Sequence, residues 1–269
     1  MYSILMSVYQ KEHPEFLKES IESMLNQTIR TNDFVIVCDG KLTKELDYVL
    51  NYYLTSYGNL FQIIRLKQNV GLGEALNIGM SYCKNELIAR MDSDDISLPD
   101  RCEKQLNIFK NMQVDIVGGA VNEFETSLEN VEAKRTTPQT SEEIYQYSKK
   151  RNPFNHPSVM FRKEAVSAAG SYQPFPYFED YYLWVRMLNH NYKGYNIPET
   201  ILYMRTGHEF FERRGGIPYI KYLWKFKRKL REMKYTTKTE FLVSTFPRVI
   251  VSLMPNKIRI LFYKKLLRK

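Results

Sequence analysis

The chain has 269 residues, 43% of them hydrophobic, and a formal net charge of +9. That length holds one large α/β domain, or one domain and an appendage, and no run of about 18 apolar residues is present to cross a membrane as a helix. The charge is uneven: from Lys221 onward there are 15 Lys/Arg against 2 Asp/Glu, a net of +13, which leaves 24 basic and 28 acidic residues, or −4, in 1–220.

A mildly acidic body with a basic tail points to a polyanionic partner, either nucleic acid or an anionic membrane surface. The three cysteines, Cys38, Cys83 and Cys102, are scattered and odd in number. They suit a reducing compartment and argue against a disulfide framework or a zinc site. Met1 to Tyr9 lacks a basic n-region and a small-residue cleavage site, so it does not read as a signal peptide.

Tyr2 to Tyr9 is a short apolar run and the first predicted strand. Pro14 to Gln27 has a helical pattern, with Phe16, Leu17, Ile21, Met24 and Leu25 on one face. Phe34 to Cys38 is a second, β-branched run ending in the turn signal Asp39-Gly40. Leu42 to Tyr57 reads as a helix and Phe61 to Leu66 as a third strand. Asn69-Val-Gly-Leu-Gly73 follows, then a helix over Glu74 to Cys83 and a fourth strand over Glu86 to Met91. Strands alternating with helices imply a doubly wound, mostly parallel sheet with helices on both faces.

Leu98 to Met112 is a further helix, with Pro99 and Asp100 at its start. Asp115 to Val121 is a strand, and the polar 123–140 stretch a loop or hairpin. Ser141 begins a capping-box pattern and a helix to about Lys150. Asn155-His-Pro157 precedes another strand, and a short helix over Lys163 to Ala169 ends at Gly170. Phe178-Glu179-Asp180-Tyr181 leads a helix to Asn189, and Tyr195 to Arg205 is the last strand region.

Beyond it the composition changes. Tyr219 to Lys234 interleaves Tyr222, Leu223, Trp224, Phe226 and Leu230 with seven basic residues; Phe241 to Leu253 is mostly apolar; Lys257 to Lys269 alternates apolar residues with Lys/Arg. That is the composition of amphipathic helices lying in a membrane interface, where anionic lipid adds about 1 kcal/mol per basic residue. It also fits helices packed on the domain with solvated basic faces. Nucleic acid is the least favoured of the three.

The fourth strand ends abruptly in Asp92-Ser93-Asp94-Asp95. Three like charges packed together are unfavourable unless a cation or donor groups sit among them. Hard divalent metals take oxygen ligands, and Mg²⁺ uses one or two carboxylates plus substrate phosphates. An acidic turn before the next helix fits these residues equally well. Position favours the site reading. Tyr9, Asp39, Asn69–Gly73 and the acidic cluster each follow one of the first four strands, and a parallel sheet brings those ends to one rim, where ligands bind.

Ser7-Val-Tyr9, Ser23-Met-Leu-Asn-Gln27, Val37-Cys-Asp-Gly40, Asn69 to Asn77, Arg90-Met-Asp-Ser-Asp-Asp95 and Phe178-Glu-Asp180 together resemble an inverting, nucleotide-sugar-dependent glycosyltransferase of family 2, with the GT-A fold. The resemblance spans about residues 1–210. Asp39 to Thr43 and Asn155-His-Pro-Ser158 are further similar to the subgroup that builds bacterial capsule, exopolysaccharide and O-antigen repeat units, such as the amylovoran glycosyltransferases.

The resemblance implies roles. Asp39 matches the residue that hydrogen-bonds uracil, and Tyr9 lies where the base packs, with Asn69 in the same pocket. Asp92 faces the ribose and diphosphate, and Asp94 ligates a divalent metal, Mn²⁺ or Mg²⁺. Asp95 faces the donor sugar, and Arg90 contacts the uridine or phosphates. Cys38 and Lys41 stand where the commoner Asp-Asp-Gly-Ser pattern has Asp and Ser, so the match in that loop rests on Asp39. Inverting displacement needs one general base, and Asp180 is the candidate. On the residues alone, Glu179-Asp180 also reads as an acidic pair at a helix N-terminus.

Further candidates are Glu179, His156, His208, Arg213 and Arg214. His156 reads either as a core histidine or as a site residue. The 206–216 segment reads either as a loop closing over the diphosphate or as a solvated basic loop.

The implied enzyme moves a hexose, galactose as the first choice, from a UDP-sugar to a polyprenyl-diphosphate-linked sugar, peripherally on the cytoplasmic face of the membrane. Residues 1–215 form the transferase domain and 216–269 a membrane-associating tail. A sugar nucleotidyltransferase and a non-catalytic adaptor using the tail are the alternatives. The former lacks its Gly-rich loop, because Tyr9-Gln-Lys-Glu-His-Pro14 contains no Gly.

Overall fold

The computed structural model describes residues 1–207, 215–255 and Arg259. The chain begins β1 (Ser3–Val8), α1 (Pro14–Leu25), β2 (Phe34–Cys38), α2 (Lys44–Tyr57), β3 (Phe61–Arg65), α3 (Leu72–Tyr82) and β4 (Leu87–Asp92). Pro14 starts α1, where its missing N–H costs nothing. Thr43 caps α2 by accepting from the Leu46 N–H. β1 and β2 are apolar and buried nearly throughout because both faces are covered. Side chains alternate between faces. Leu5, Val35 and Val37 meet α3 through Leu76, and Ile4, Met6 and Val8 meet Leu17 and Ile21 of α1.

The register places the rim. β3, β2, β1 and β4 are neighbours and parallel, with Val8 opposite Cys38, Cys38 opposite Arg65, and Ser7 opposite Asp92. Tyr9, Asp39, the loop after Arg65, and Asp92 to Asp95 therefore leave the sheet at one edge. Gly40 permits the turn there. Its φ is +89°, and a Cβ would stand 2.8 Å from the Asn69 nitrogen.

The second half is built from β5 (Ile96–Ser97), α4 (Arg101–Asn111), β6 (Ile116–Phe124), β7 (Val131–Arg135), α5 (Ser141–Ser148), β8 (Met160–Arg162), α6 (Lys163–Ala168), α7 (Glu179–Asn189) and β9 (Gly194–Arg205). The nine strands among the described residues form one sheet in the order β3-β2-β1-β4-β8-β6-β9-β5, with β7 on β6. The sheet is mostly parallel, as expected, with antiparallel members confined to its second half. β8 runs antiparallel between β4 and β6, and β5 and β7 are also antiparallel to their neighbours, while β6 and β9 are parallel. The sheet is parallel on one side and mixed on the other. The polar 123–140 stretch contains the hairpin strand β7, and the cap of α5 is Thr140, which with Glu143 completes the capping box.

The tail begins with α8 (Gly216–Glu232) and α9 (Lys238–Leu253). Tyr219, Leu223, Phe226 and Leu230 of α8 join the same buried cluster as α7. Phe226 stacks on Phe178 with ring centroids 4.8 Å apart. The division at 215/216 is thus a change of charge character, not a gap between hydrophobic cores.

Candidate active site

Arg90, on β4, is only 1% exposed. Both its terminal nitrogens donate to the Asp92 carboxylate, Nη1 at 2.7 Å and Nη2 to the other oxygen. The pair is bidentate, the strong form of such a bond. Arg90 therefore braces Asp92 from below, and its burial corrects the expectation that it contacts uridine or phosphates directly. The Asp92 carbonyl accepts from the Ser20 hydroxyl of α1 at 2.7 Å.

Asp92, Asp94 and Asp95 each offer a carboxylate oxygen, all within 4.8 Å of one another. Burial and the neighbouring carboxylates, Asp92 and Glu12 for Asp94, push the carboxyls of Asp94 and Asp95 above the usual range. One Asp95 oxygen accepts from the Arg205 N–H at 2.8 Å, and the other is buried with no hydrogen-bond partner. An unpartnered buried carboxylate oxygen among three acids is the donor set a hard divalent cation fits.

Two residues that sequence reading missed shape this turn. Glu12, in the loop after β1, accepts from the Ser93 hydroxyl. Arg205, the last residue of β9, donates from Nε to the Asp94 carbonyl at 3.0 Å and from Nη2 to Glu19 at 2.7 Å. Its guanidinium carbon lies 3.7 Å and 4.5 Å from the Phe16 and Phe124 ring centroids. The Ser23–Gln27 motif acts at the same place. Ser23 accepts from the Ser97 N–H, and Gln27 bonds the Leu98 carbonyl and the Cys102 N–H. It fastens α1 to the chain leaving the acidic turn.

Asp39 is 5% exposed. One carboxylate oxygen accepts from Val70 N–H at 2.7 Å, the other from Gly71 N–H at 3.1 Å and Asn69 Nδ2 at 2.9 Å. It joins the loops after β2 and β3. Three bonds fill most of a carboxylate's roughly four acceptor positions. Tyr9 is 44% exposed at the same rim.

Asp180 stands in the first turn of α7, half-buried. Asn152 Nδ2 donates to one oxygen at 2.6 Å and the Tyr181 N–H to the other at 2.7 Å. Burial raises its pKa, and those two donors with Arg135 and Arg90 oppose the rise. Glu179 packs over Gly73, where a Cβ would meet Tyr172 at 3.3 Å and Glu179 at 3.8 Å. Asn77 bonds both the carbonyl and the N–H of Tyr172. The first turns of α3 are thereby held against Tyr172 and the start of α7.

His156 Nε2 lies 2.9 Å from the Tyr172 hydroxyl, with Trp184 beside it. Burial, then Arg90, holds its pKa well below the ordinary histidine value. Its ring partner is a side chain rather than backbone. The charge of Arg90 acts on Asp94, Asp95, His156, Tyr172 and Asp180 alike. The field of one buried guanidinium thus reaches both the acidic turn and Asp180, though 85 or more residues separate them in sequence. His208, Arg213 and Arg214 lie outside the described residues.

Comparison with known proteins gives a consistent result. Residues 3–169 match the model of glycosyl transferase family 2. The chain is 38% identical over 272 residues to the amylovoran biosynthesis glycosyltransferase AmsE of Erwinia amylovora, covering 98% of both chains. It is 35% identical over 269 residues to the UDP-Gal:alpha-D-GlcNAc-diphosphoundecaprenol beta-1,3-galactosyltransferase of Escherichia coli, covering 100% of this chain and 97% of that one. Among solved structures, the mannosyltransferase PcManGT of Pyrobaculum calidifontis, in complex with GDP-Man and Mn²⁺, superposes with a TM-score of 0.67 at 12% identity. That similarity covers 96% of this chain and 71% of that one. At such low identity the structural likeness speaks for the fold, which is GT-A.

Proposed function

The chain belongs to glycosyl transferase family 2 and is a glycosyltransferase, and we propose that it transfers a hexose from a UDP-sugar, with inversion, to a polyprenyl-diphosphate-linked sugar in surface-polysaccharide synthesis. The carrying observation is that Asp92, Asp94 and Asp95 bring three carboxylate oxygens within 4.8 Å of one another, one of them buried without a partner, at the rim where Tyr9 and Asp39 also leave the sheet. Relatives that match nearly end to end support the donor and acceptor classes. UDP-galactose is the first donor to test.

In this reading Asp39 receives the uracil N–H at its remaining acceptor position, Tyr9 packs on the base, and Asn69 sets Asp39. Asp94, with Asp92 and Asp95, holds Mn²⁺ or Mg²⁺. A bound cation supplies charge neutralisation for the departing diphosphate. Asp180 takes the proton of the acceptor hydroxyl while that oxygen bonds to the donor's anomeric carbon. The bond from that carbon to the diphosphate breaks, and its electron pair leaves with the diphosphate. Asn152 and the Tyr181 N–H aim the Asp180 carboxylate, and its raised pKa makes it a stronger base than a solvated Asp.

The tail is assigned to the membrane surface, with peripheral attachment on the cytoplasmic face. No helix among the described residues is long and apolar enough to cross a membrane. α9 exposes Leu242, Val243, Phe246, Ile250 and Leu253 at helical spacing, in a tail of net positive charge. That combination fits an interfacial helix. Incubating the protein with a panel of UDP-sugars and a diphosphate-lipid-linked GlcNAc or GalNAc acceptor, with NMR of the product, tests the whole reading.

A further inference from the structure

α5 ends at Ser148, and the next four residues, Lys149-Lys150-Arg151-Asn152, connect three parts of the molecule. Asn152 donates to the proposed base Asp180 at 2.6 Å. Lys149 pairs with Glu240 of α9 at 3.4 Å. Lys227 of α8, 1% exposed, donates from Nζ to the carbonyls of Lys149 and Lys150 at 3.3 Å and 3.1 Å. Burying an ammonium is costly unless it is well hydrogen-bonded. Here it meets carbonyls at the C-terminal end of a helix, the negative end of its dipole. The result is a short rigid bridge from the base to both tail helices.

Lys150 and Arg151 are exposed in that bridge and make no ion pair among the described residues. Arg151 is covalently next to the residue that holds Asp180. Two more cations reach the same region. The charge of Arg135, on β7, is felt at Asp180, and that of Arg248, on α9, at Tyr181 and Lys227. A helix dipole explains basic residues at the end of α5, but not their attachment to the base or the cations from β7 and α9. Arg90, by contrast, is already paired with Asp92 of the acidic turn. Lys150 and Arg151 thus stand free of any ion pair among the described residues, next in the chain to the residue that holds Asp180.

We propose that Lys150 and Arg151 bind the phosphate groups of the acceptor. The inference rests on the functional reading above, because it concerns a diphosphate-linked acceptor. Arg offers a fork matched to phosphate oxygens, and Lys a mobile point charge. Such a site recognises the anion independently of the sugar, and it is continuous in the chain with Asn152, which holds the proposed base.

The test uses full-length protein with saturating UDP, so that the donor pocket is filled, and farnesyl diphosphate as a soluble probe measured by calorimetry. Wild type binds it, and farnesol at least tenfold more weakly. Lys150→Ala with Arg151→Ala weakens farnesyl diphosphate at least tenfold and leaves the UDP affinity unchanged. Lys150→Arg with Arg151→Lys restores binding. A charge-matched control, Lys110→Ala with Lys193→Ala, which lie at the opposite edge of the sheet, changes nothing. Binding to phosphatidylglycerol vesicles stays the same in the double alanine variant. Equal probe affinity in wild type and that variant overturns the proposal. So does a parallel loss of vesicle binding, which makes the pair a headgroup contact. If the site binds the probe as described but no UDP-sugar is transferred to any diphosphate-linked acceptor, the functional reading fails and the anion site stands.

Discussion

Arg90 lies beneath Asp92 and grips its carboxylate with both terminal nitrogens. The same guanidinium charge also opposes the rise in the pKa of Asp180. Arg90→Ala leaves a partly exposed carboxylate without its cation. Breaking a buried pair costs about 3–5 kcal/mol, and the one-third exposure of the Asp92 side chain reduces this to about 2 kcal/mol. Urea denaturation of the two proteins measures the difference.

Asp180→Asn removes the proton acceptor and keeps the shape. Transfer should fall by about 10² to 10⁴, while UDP binding measured by calorimetry stays within twofold.

Because burial raises the Asp180 pKa and the base acts ionised, wild-type kcat should decline as pH falls through that raised value, above the ordinary carboxylate range. The sign for stability is opposite. A carboxylate with a raised folded-state pKa is penalised when ionised, so the penalty is present at neutral pH and absent below the unfolded value. Asp180→Asn should therefore melt at or above the wild-type temperature at pH 7, and the gain should vanish in acid.

Chelation addresses the acidic turn. EDTA should stop transfer, and Mn²⁺ or Mg²⁺ should restore it. Asp94→Ala should abolish the Mn²⁺-dependent part of UDP binding in calorimetry. Full activity in chelator removes the metal role from Asp94.

Arg205 touches the backbone and side chains of the turn without being one of its acids. Residues that orient metal ligands typically matter by about 10- to 100-fold. Arg205→Ala should weaken Mn²⁺ affinity, read by electron paramagnetic resonance, by about tenfold in that range. Arg205→Lys, which keeps the charge and the backbone bond, should recover part of it.

For the tail, Phe246→Ser with Ile250→Ser removes two exposed apolar residues of α9. Flotation with anionic vesicles should drop several-fold with the melting temperature unchanged. A large fall in melting temperature would mean that the stripe packs on protein.

The parallel half of the fold was legible because each strand is an uninterrupted apolar run followed by a marked turn, and the rim residues come in chain order. In the second half β6, β8 and β9 were also legible as strands, but their directions and the strand β5 were not. β5 has two residues, too short for a pattern to show, and pairing direction is set by contacts distant in sequence. Within the site, the acids were readable from their spacing. Their supports were not, because Arg205 reaches Asp95 across 110 residues and Asn152 reaches Asp180 across 28. α8 misled in another way. Its basic residues suggest a surface helix, yet every third or fourth position from Tyr219 to Leu230 is buried against α7, and Lys227 is buried with them. Charge count describes the outer face of that helix and says little about the inner one.

The central claim is inverting transfer from a UDP-sugar with Asp180 as base. It is tested most directly by the anomeric configuration of the product in wild type and Asp180→Asn, using an α-linked UDP-hexose, a diphosphate-lipid-linked sugar acceptor and proton NMR. The account predicts one new β linkage from wild type and none from the variant. An α linkage, or a variant that turns over like wild type, would contradict it.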